Sequence, residues 1–357
     1  IQFTGGTTGI PKGAVLTHGN LISAIVGLSL WITPIAQFTP PEQRFFLGAV
    51  PFFHIYGNIA GVNMSIFNCA TQILIPHFQP DEMMDTLAKY EKIMLFPTVP
   101  TMINAIIYHP RAEELRLDKK FGLLNSGGAP MPVEMIHLIN DMGIYFTEGW
   151  AMSETSCMGI QNPVLGPSKI GSIGIPTIDT DVRLVDIESG QQEVPLGQPG
   201  EMIIKSPTVT GSYWNMPEET ALQIRDGWLY TGDIATQDED GYFFIVDRKK
   251  DMIIAGGFNI YPREIDEVLH LYPKVQEAIT IGVPDDYRGE TVKAFIVLKK
   301  GEAVTEKEII DFCREKLAPY KVPKLVEFRE SLPQSAVGKV LRKELRSEEI
   351  QKQANKQ

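Results

Sequence analysis

"FGLLNSGGAPMPVEMIHLINDMGIYFTEGWAMSET", Phe121 to Thr155, holds in one stretch the unit from which the fold is read. Its first apolar run ends at two glycines and reads as a buried strand. A helical repeat follows over "PVEMIHLINDMG", and "GWAMSET" lies just past a second strand end. The alternation extends upstream, where "FFLGAV", "TQILIP" and "KIMLFP" read as further buried strands. "PDEMMDTLAKY" reads as a helix with Asp81 and Glu82 in its first turn, where carboxylates suit the helix dipole. Strands alternating with helices predict a mainly parallel sheet with helices on its faces, within a large α/β domain over 1–165.

Beyond that domain the texture changes. "TDVRLVD", "GEMIIKS" and "GYFFIVD" are short strands separated by Gly, Pro and acidic turns, which predicts a β-rich subdomain over 166–247. From 251 to 346 helices ("PREIDEVLHLY", "EKEIIDFCREKL") mix with strands ("AITIGV", "KAFIVLK", "LVEFRE"), an α+β pattern. The final "RKELRSEEIQKQANKQ" is charged and is expected to fray, with 347–357 as a tail.

A length of 357 residues implies two or three domains, and 43% hydrophobic with 22% charged residues is the balance of a soluble globular chain. The net charge of −11 argues against nucleic acid as the main partner. Cys69, Cys157 and Cys313 are scattered and make no metal or disulfide pattern, so a reducing, cytoplasmic setting is expected. The most apolar segment, "LISAIVGLSLWITPIAQF", is interrupted by Ser23, Ser29, Thr33 and Pro34. It is too short for a good membrane span and is expected to be a helix packed in the α/β core.

Five stretches carry possible chemistry. In "FTGGTTGIPKG", Phe3 to Gly13, glycines allow close backbone approach, Thr4, Thr7 and Thr8 add hydroxyl donors, and Lys12 adds charge. This suits a polyphosphate, although a glycine-rich surface turn reads the same way. The nucleotide P-loop is excluded, because Gly13 stands where Gly-Lys must be followed by Ser or Thr. In "GWAMSET", Trp150 could flank a base or acyl group and Glu154 could hold Mg²⁺, or the pair is a core tryptophan and a loop glutamate. In "YTGD", Asp233 at a tight glycine turn could accept both ribose hydroxyls, or be a solvated turn residue. Arg248 could be a second ribose or phosphate contact, and Gly256 and Gly257 could serve close approach or a turn. In "PQSAVGKVLRKEL", Lys339 is a point charge for a reaction centre or a surface lysine.

Taken in order, these stretches resemble the adenylate-forming superfamily of acyl-CoA synthetases, aryl-CoA ligases, luciferases and adenylation domains. "FTGGTTGIPKG" is similar to its phosphate loop, "PFFHIYG" to its His-containing segment and "NSGGAP" to its adenine-side loop. "GWAMSET" resembles its aromatic-x-x-(Thr/Ser)-Glu motif and "YTGD" its ribose aspartate. "DRKKDMIIAGGFNIYPREID" resembles its hinge and thiol-tunnel segment, and "PQSAVGK" its C-terminal lysine motif. The likeness runs from Phe3 to about Leu345. Two departures stand out: Trp150-Ala151 replaces the usual Tyr-Gly, altering the aromatic wall beside the base, and Ser153 replaces Thr while keeping the hydroxyl.

The resemblance implies a two-step ligase using ATP, Mg²⁺ and coenzyme A, most like fatty-acid–CoA ligases, with aryl-acid ligases second and an inert nucleotide-binding fragment as the contrasting case. It implies that Thr4, Gly5, Gly6, Thr7, Thr8, Gly9 and Lys12 handle phosphates, and that Glu154 holds Mg²⁺. Gly128, Ala129, Trp150 and Ser153 would border the nucleotide, and Asp233 and Arg248 would hold ribose. Lys339, Glu154 and His54 would be catalytic. A hinge at 248–250, centred on Lys250, would swing a mobile C-terminal α+β domain, replacing Lys339 with the Gly256–Gly257 thiol tunnel. Because the phosphate loop lies well inside such chains, Ile1 is expected not to be the natural start, and an N-terminal lobe is expected ahead of it. Peripheral membrane association and homodimerisation are left open. A hydrolase is disfavoured, since no G-x-S-x-G elbow occurs.

Overall fold

β1 (Gln2–Phe3) and β2 (Gly13–Ala14) pair antiparallel with Phe3 opposite Gly13, so the two ends of the glycine-rich stretch are tied together. The computed structural model describes residues 1–4, 11–285, 287–334 and 340–354. β3 (Phe45–Gly48) and β4 (Thr71–Leu74) run parallel, and the Leu47 amide donates to the Leu95 carbonyl to carry the sheet on toward β5 (Phe96–Thr98). β5, β6 (Leu124–Ser126) and β7 (Phe146–Trp150) are parallel; β8 (Ile160–Gln161) and β9 (Ile175–Pro176) extend them antiparallel.

The strand pleat sorts the core. Phe46, Leu95 and Leu123 enter one apolar cluster with Ala24, Leu28 and Ile32 of the helix His18–Trp31 and its end. Their neighbours Leu47, Phe96 and Leu124 enter a second, with residues of the helices Pro80–Lys89, Pro100–Ile107 and Val133–Asp141. Successive side chains pointing to opposite faces, both covered by helices, explain why these strands are apolar throughout. The apolar segment of the sequence is the helix His18–Trp31, started by a capping box between Thr17 and Asn20, and a short turn of helix Thr33–Ala36. Among the described residues, no helix is long and apolar enough to cross a membrane.

A second, antiparallel sheet orders β10 (Asp181–Val185), β11 (Gly200–Lys205), β13 (Trp228–Gln237) and β12 (Ile224–Arg225), with β14 (Phe243–Arg248) on β13. The first sheet runs past residue 165, since β9 belongs to it, and Ile173 and Gly174 bond to Phe243 to join the two sheets.

The third sheet contains β15 (Ile253–Ala255), β16 (Phe258–Ile260), β17 (Val275–Asp285), β18 (Gly289–Leu298) and β19 (Leu325–Phe328). Along β18, Ala294 and Ile296 face the cluster of the helices Pro262–His270 and Glu306–Lys316. Phe295 and Val297 face the other side, with the buried Leu345. Leu345 lies on a helix Arg342–Ala354, so the segment expected to fray does not do so through Ala354. Its charges are paired rather than solvated: Arg342 with Asp266, Arg346 with Asp251 at 2.9 Å, Glu348 with Arg329 at 2.6 Å and Glu349 with Lys293 at 2.7 Å.

Candidate active site

The carboxyl ends of β5, β6 and β7 open at one place, where open α/β sheets bind ligands. Tyr56 pins that rim. Its hydroxyl accepts the Thr98 amide at 3.2 Å, and lies 2.7 Å from the Asn125 carbonyl and 2.8 Å from the Asn125 side-chain oxygen. Burial pushes this hydroxyl well above its ordinary pKa, so it remains a donor. Tyr56 stands before a π-helix, Gly57–Asn63, a geometry often found at functional sites. His54 accepts the Tyr56 amide on Nδ1 at 3.2 Å, which sets it beside the same rim. Gly128 and Ala129 follow β6 one residue on, after Gly127, with Gly128 at φ +79°.

The base of the glycine-rich stretch meets Glu154. The Thr4 amide donates to the Lys12 carbonyl, and Val15 and Trp214 bond across to Ser212 and Gly13. Lys12 is thereby set over the Tyr213 ring, 5.4 Å from its centroid, and pairs with Glu219. The Tyr213 hydroxyl donates to Glu154 Oε1 at 2.8 Å, and the Glu154 carbonyl accepts the Thr210 amide at 2.7 Å. Burial, and then the Glu154 charge, hold the Tyr213 proton on well above the usual pH. Glu154 is 5% exposed, so this is no solvated loop glutamate. Just after it, Ser156 and Cys157 both take positive φ, at 50° and 70°, a strained pair of non-glycine residues beside the site. Ser153 is half-buried on the same turn and accepts the Ser156 amide through its carbonyl. Tyr213→Phe is expected to lower stability by about 1–3 kcal/mol, because a buried carboxylate loses its donor. Urea titration checks this, and an unchanged midpoint would show that Glu154 does not depend on Tyr213.

Trp150, Asp233 and Arg248 form a second group. The Trp150 indole N–H donates to Asp233 Oδ2 at 2.7 Å, and Arg248 Nε lies 3.2 Å from Oδ1. Asp233 is 3% exposed and sits inside β13, not on a tight turn as the sequence suggested. The reason is Gly232, whose φ of +71° lets the strand bulge against β11 without ending. The five residues Trp150–Glu154 join this group to the Lys12 group.

Around Lys250 the backbone is knotted. The buried Asp247 accepts the amides of Arg248 and Arg263, each at 2.7 Å, and Arg263 reaches the Ile245 carbonyl at 2.9 Å. Arg346 bonds the Lys250 carbonyl at 3.1 Å. Gly256 and Gly257, with φ +60° and +82°, form the two-residue turn between Ala255 and Phe258. Positive φ at both positions is what a type I′ hairpin requires. Both are exposed. Gly5, Gly6, Thr7, Thr8, Gly9 and Lys339 lie outside the described residues.

Glu148, Tyr213 and Glu219 escaped the sequence reading. Glu148, 7% exposed in the middle of β7, accepts the Met131 amide at 2.8 Å and so holds the chain leaving Ala129. Burial pushes its carboxyl up to about 7. A folded-state pKa above the unfolded value gives stability that is full below about pH 4.5 and lost as pH rises through 7. Between those limits the loss is on the order of 3 kcal/mol. Glu148→Gln keeps an acceptor for Met131 and should flatten that slope, raising the melting temperature at pH 8 but not at pH 4.5. Parallel pH–melting curves for the two proteins would refute it.

The sequence model of the AMP-binding enzyme family matches residues 1–214, and that of the AMP-binding enzyme C-terminal domain matches 264–339. The chain belongs to the AMP-binding enzyme family. This AMP-binding enzyme is 46% identical over 352 residues to a long-chain-fatty-acid–CoA ligase of Bacillus subtilis (strain 168), covering 98% of the chain and 62% of the relative. It is 41% identical to a feruloyl-CoA synthase of Amycolatopsis sp, covering 97% of the chain and 69% of that protein. The chain thus spans 62% of the length of that Bacillus subtilis ligase. ATP-bound MatB from Rhodopseudomonas palustris superposes with a TM-score of 0.88 at 34% identity, over 98% of this chain and 67% of that one. Apo MatB superposes at 0.72, with 34% identity over 97% and 67%.

Proposed function

We propose that this AMP-binding enzyme activates a fatty acid as acyl-AMP and transfers the acyl group to coenzyme A. The observation that carries the reading is the meeting of Lys12, Tyr213 and the buried Glu154 at the strand carboxyl ends, joined through Trp150 to Asp233 and Arg248. The better superposition on ATP-bound than on apo MatB supports a nucleotide-ready arrangement. The 46% identity to a long-chain-fatty-acid–CoA ligase supports the alkyl substrate.

In the first half-reaction a carboxylate oxygen attacks the α-phosphorus of ATP and pyrophosphate leaves. Thr4, Lys12 and the loop between them take the β- and γ-phosphates, and Gly128, Ala129, Trp150 and Ser153 border the nucleotide. Asp233 and Arg248 take the ribose. His54 and Lys339 serve the reacting carboxylate, Lys339 also meeting the α-phosphate. Positioned donors at oxygens that gain charge are the main lever on such a step. In the second, the thiol sulfur of coenzyme A attacks the acyl carbon and AMP leaves, with rotation at Lys250 bringing up Gly256 and Gly257.

Among the described residues, no three His, Cys, Asp or Glu side chains gather to cage a metal. A single buried carboxylate, Glu154, fits Mg²⁺, which takes one or two carboxylates together with substrate phosphates. Bound there, the ion would supply charge neutralisation on the ATP phosphates.

ATP–pyrophosphate exchange with saturated acids of graded length, and with ferulate and benzoate, tests the reading. Exchange with long alkyl acids is the expected result. Exchange with aryl acids alone would move the substrate to the aryl class, and none with any acid would reject the ligase.

A further inference from the structure

Trp150 is held by more than its hydrogen bond. It pairs with Ile160 across β7 and β8, and its ring packs on the cluster of Ile160, Ile173, Leu184, Met202 and Phe243. Gly159 lies directly beneath: a Cβ there would come within 3.0 Å of Cε3 and Cζ3 of the indole. The ring is therefore wedged against glycine backbone on one side and apolar side chains on another. This leaves the N–H fixed toward Asp233 Oδ2 at 2.7 Å.

The backbone that carries this carboxylate is tied down too, and Arg248 meets the carboxylate's other oxygen. The Asp233 amide donates to Thr231 Oγ1 at 3.1 Å, Thr231 donates to the Met202 carbonyl at 2.6 Å, and Arg248 faces Oδ1. A carboxylate offers about four lone-pair positions on its two oxygens. The indole takes one on Oδ2 and Arg248 one on Oδ1, which leaves one acceptor on each oxygen. Two acceptors side by side fit two vicinal hydroxyls.

We propose that Trp150 is a positioning residue for sugar recognition: its indole N–H sets the Asp233 carboxylate to accept both hydroxyls of a ribose, so that the site discriminates ribonucleotide from 2′-deoxyribonucleotide. The inference rests on the nucleotide reading above and deepens it. Without the N–H, Arg248 on Oδ1 is the one remaining anchor described for the carboxylate, which can then pivot about that contact, and the paired geometry is lost even though the acid remains.

The test is calorimetric titration of the 357-residue chain with AMP and with 2′-deoxy-AMP. Wild type is expected to prefer AMP by about tenfold or more, the worth of one good hydrogen bond. Trp150→Phe keeps an aromatic ring but removes the N–H, and its preference is expected to fall to about two- to threefold. Replacement of Trp150 by the isosteric 3-benzothienylalanine, with sulfur where the N–H stood, gives the same comparison without a packing change and decides the matter if Trp150→Phe fails to fold. Collapse of the preference with the melting temperature retained supports the assignment, since a purely structural tryptophan would not alter the ratio. A preference unchanged in the sulfur analogue overturns it while leaving AMP binding in place. Absence of AMP binding in wild type would instead reject the nucleotide reading itself.

Discussion

Lys339→Ala is expected to slow acyl-AMP formation from ATP and acid by about a hundred- to a thousandfold, the usual effect of removing one donor from a developing charge. A compact ammonium on a flexible stem can meet a carboxylate and a phosphate oxygen together, which no neutral side chain replaces. The structure ties down both sides of its segment: Gln334 bridges Val340, the Leu341 amide donates to the Pro333 carbonyl, and the helix Arg342–Ala354 follows at once. Supplied with synthetic acyl-AMP and coenzyme A, the same variant should form thioester at nearly the wild-type rate, because the proposed rotation at Lys250 would remove Lys339 from the second step. Gly257→Trp should show the reverse pattern. Equal loss in both half-reactions of Lys339→Ala would end the rotation scheme for this chain.

Asp233→Ala should weaken AMP binding by on the order of a hundredfold. Two hydroxyls lose a charged acceptor at about 1.5–3 kcal/mol each, partly offset by water. A solvated turn aspartate would have left stability untouched. The residue is instead 3% exposed, and the substitution orphans the Trp150 N–H and an Arg248 contact. A further loss of about 1–3 kcal/mol in folding stability is therefore expected. Calorimetry with AMP beside a urea melt separates the two effects. Full affinity in a destabilised protein would make Asp233 a structural residue only.

The parallel strands were legible because each buries both faces, so that Phe46 and Leu47, or Leu123 and Leu124, are apolar in succession. The glycine-rich stretch and Glu154 could be singled out because a loop's chemistry is written locally, but the sequence left Glu154 open between an ion holder and a loop glutamate, and its burial shows only in the fold. What escaped depends on partners far away in the chain. Charges in the helix Arg342–Ala354 look solvated until Asp266, Lys293 and Arg329 are brought to them. Asp233 looked exposed because its indole partner lies 83 residues earlier. Glu148 stands among polar neighbours in "FTEGW", and only the folded sheet shows its carboxyl to be enclosed.

The knot at Asp247 has a kinetic side. Arg263 lies beyond Lys250 in the chain, yet its amide is bonded to Asp247 and its guanidinium to the Ile245 carbonyl. Under the proposed swivel these bonds part on every turnover, and Asp247 is left half-satisfied. At about 1 kcal/mol for each such bond, the arrangement seen here outweighs a freed one by roughly tenfold to a hundredfold. The swivel then behaves as a latched two-position element, with one position populated at rest. The other becomes common only when a bound ligand favours it by at least that ratio.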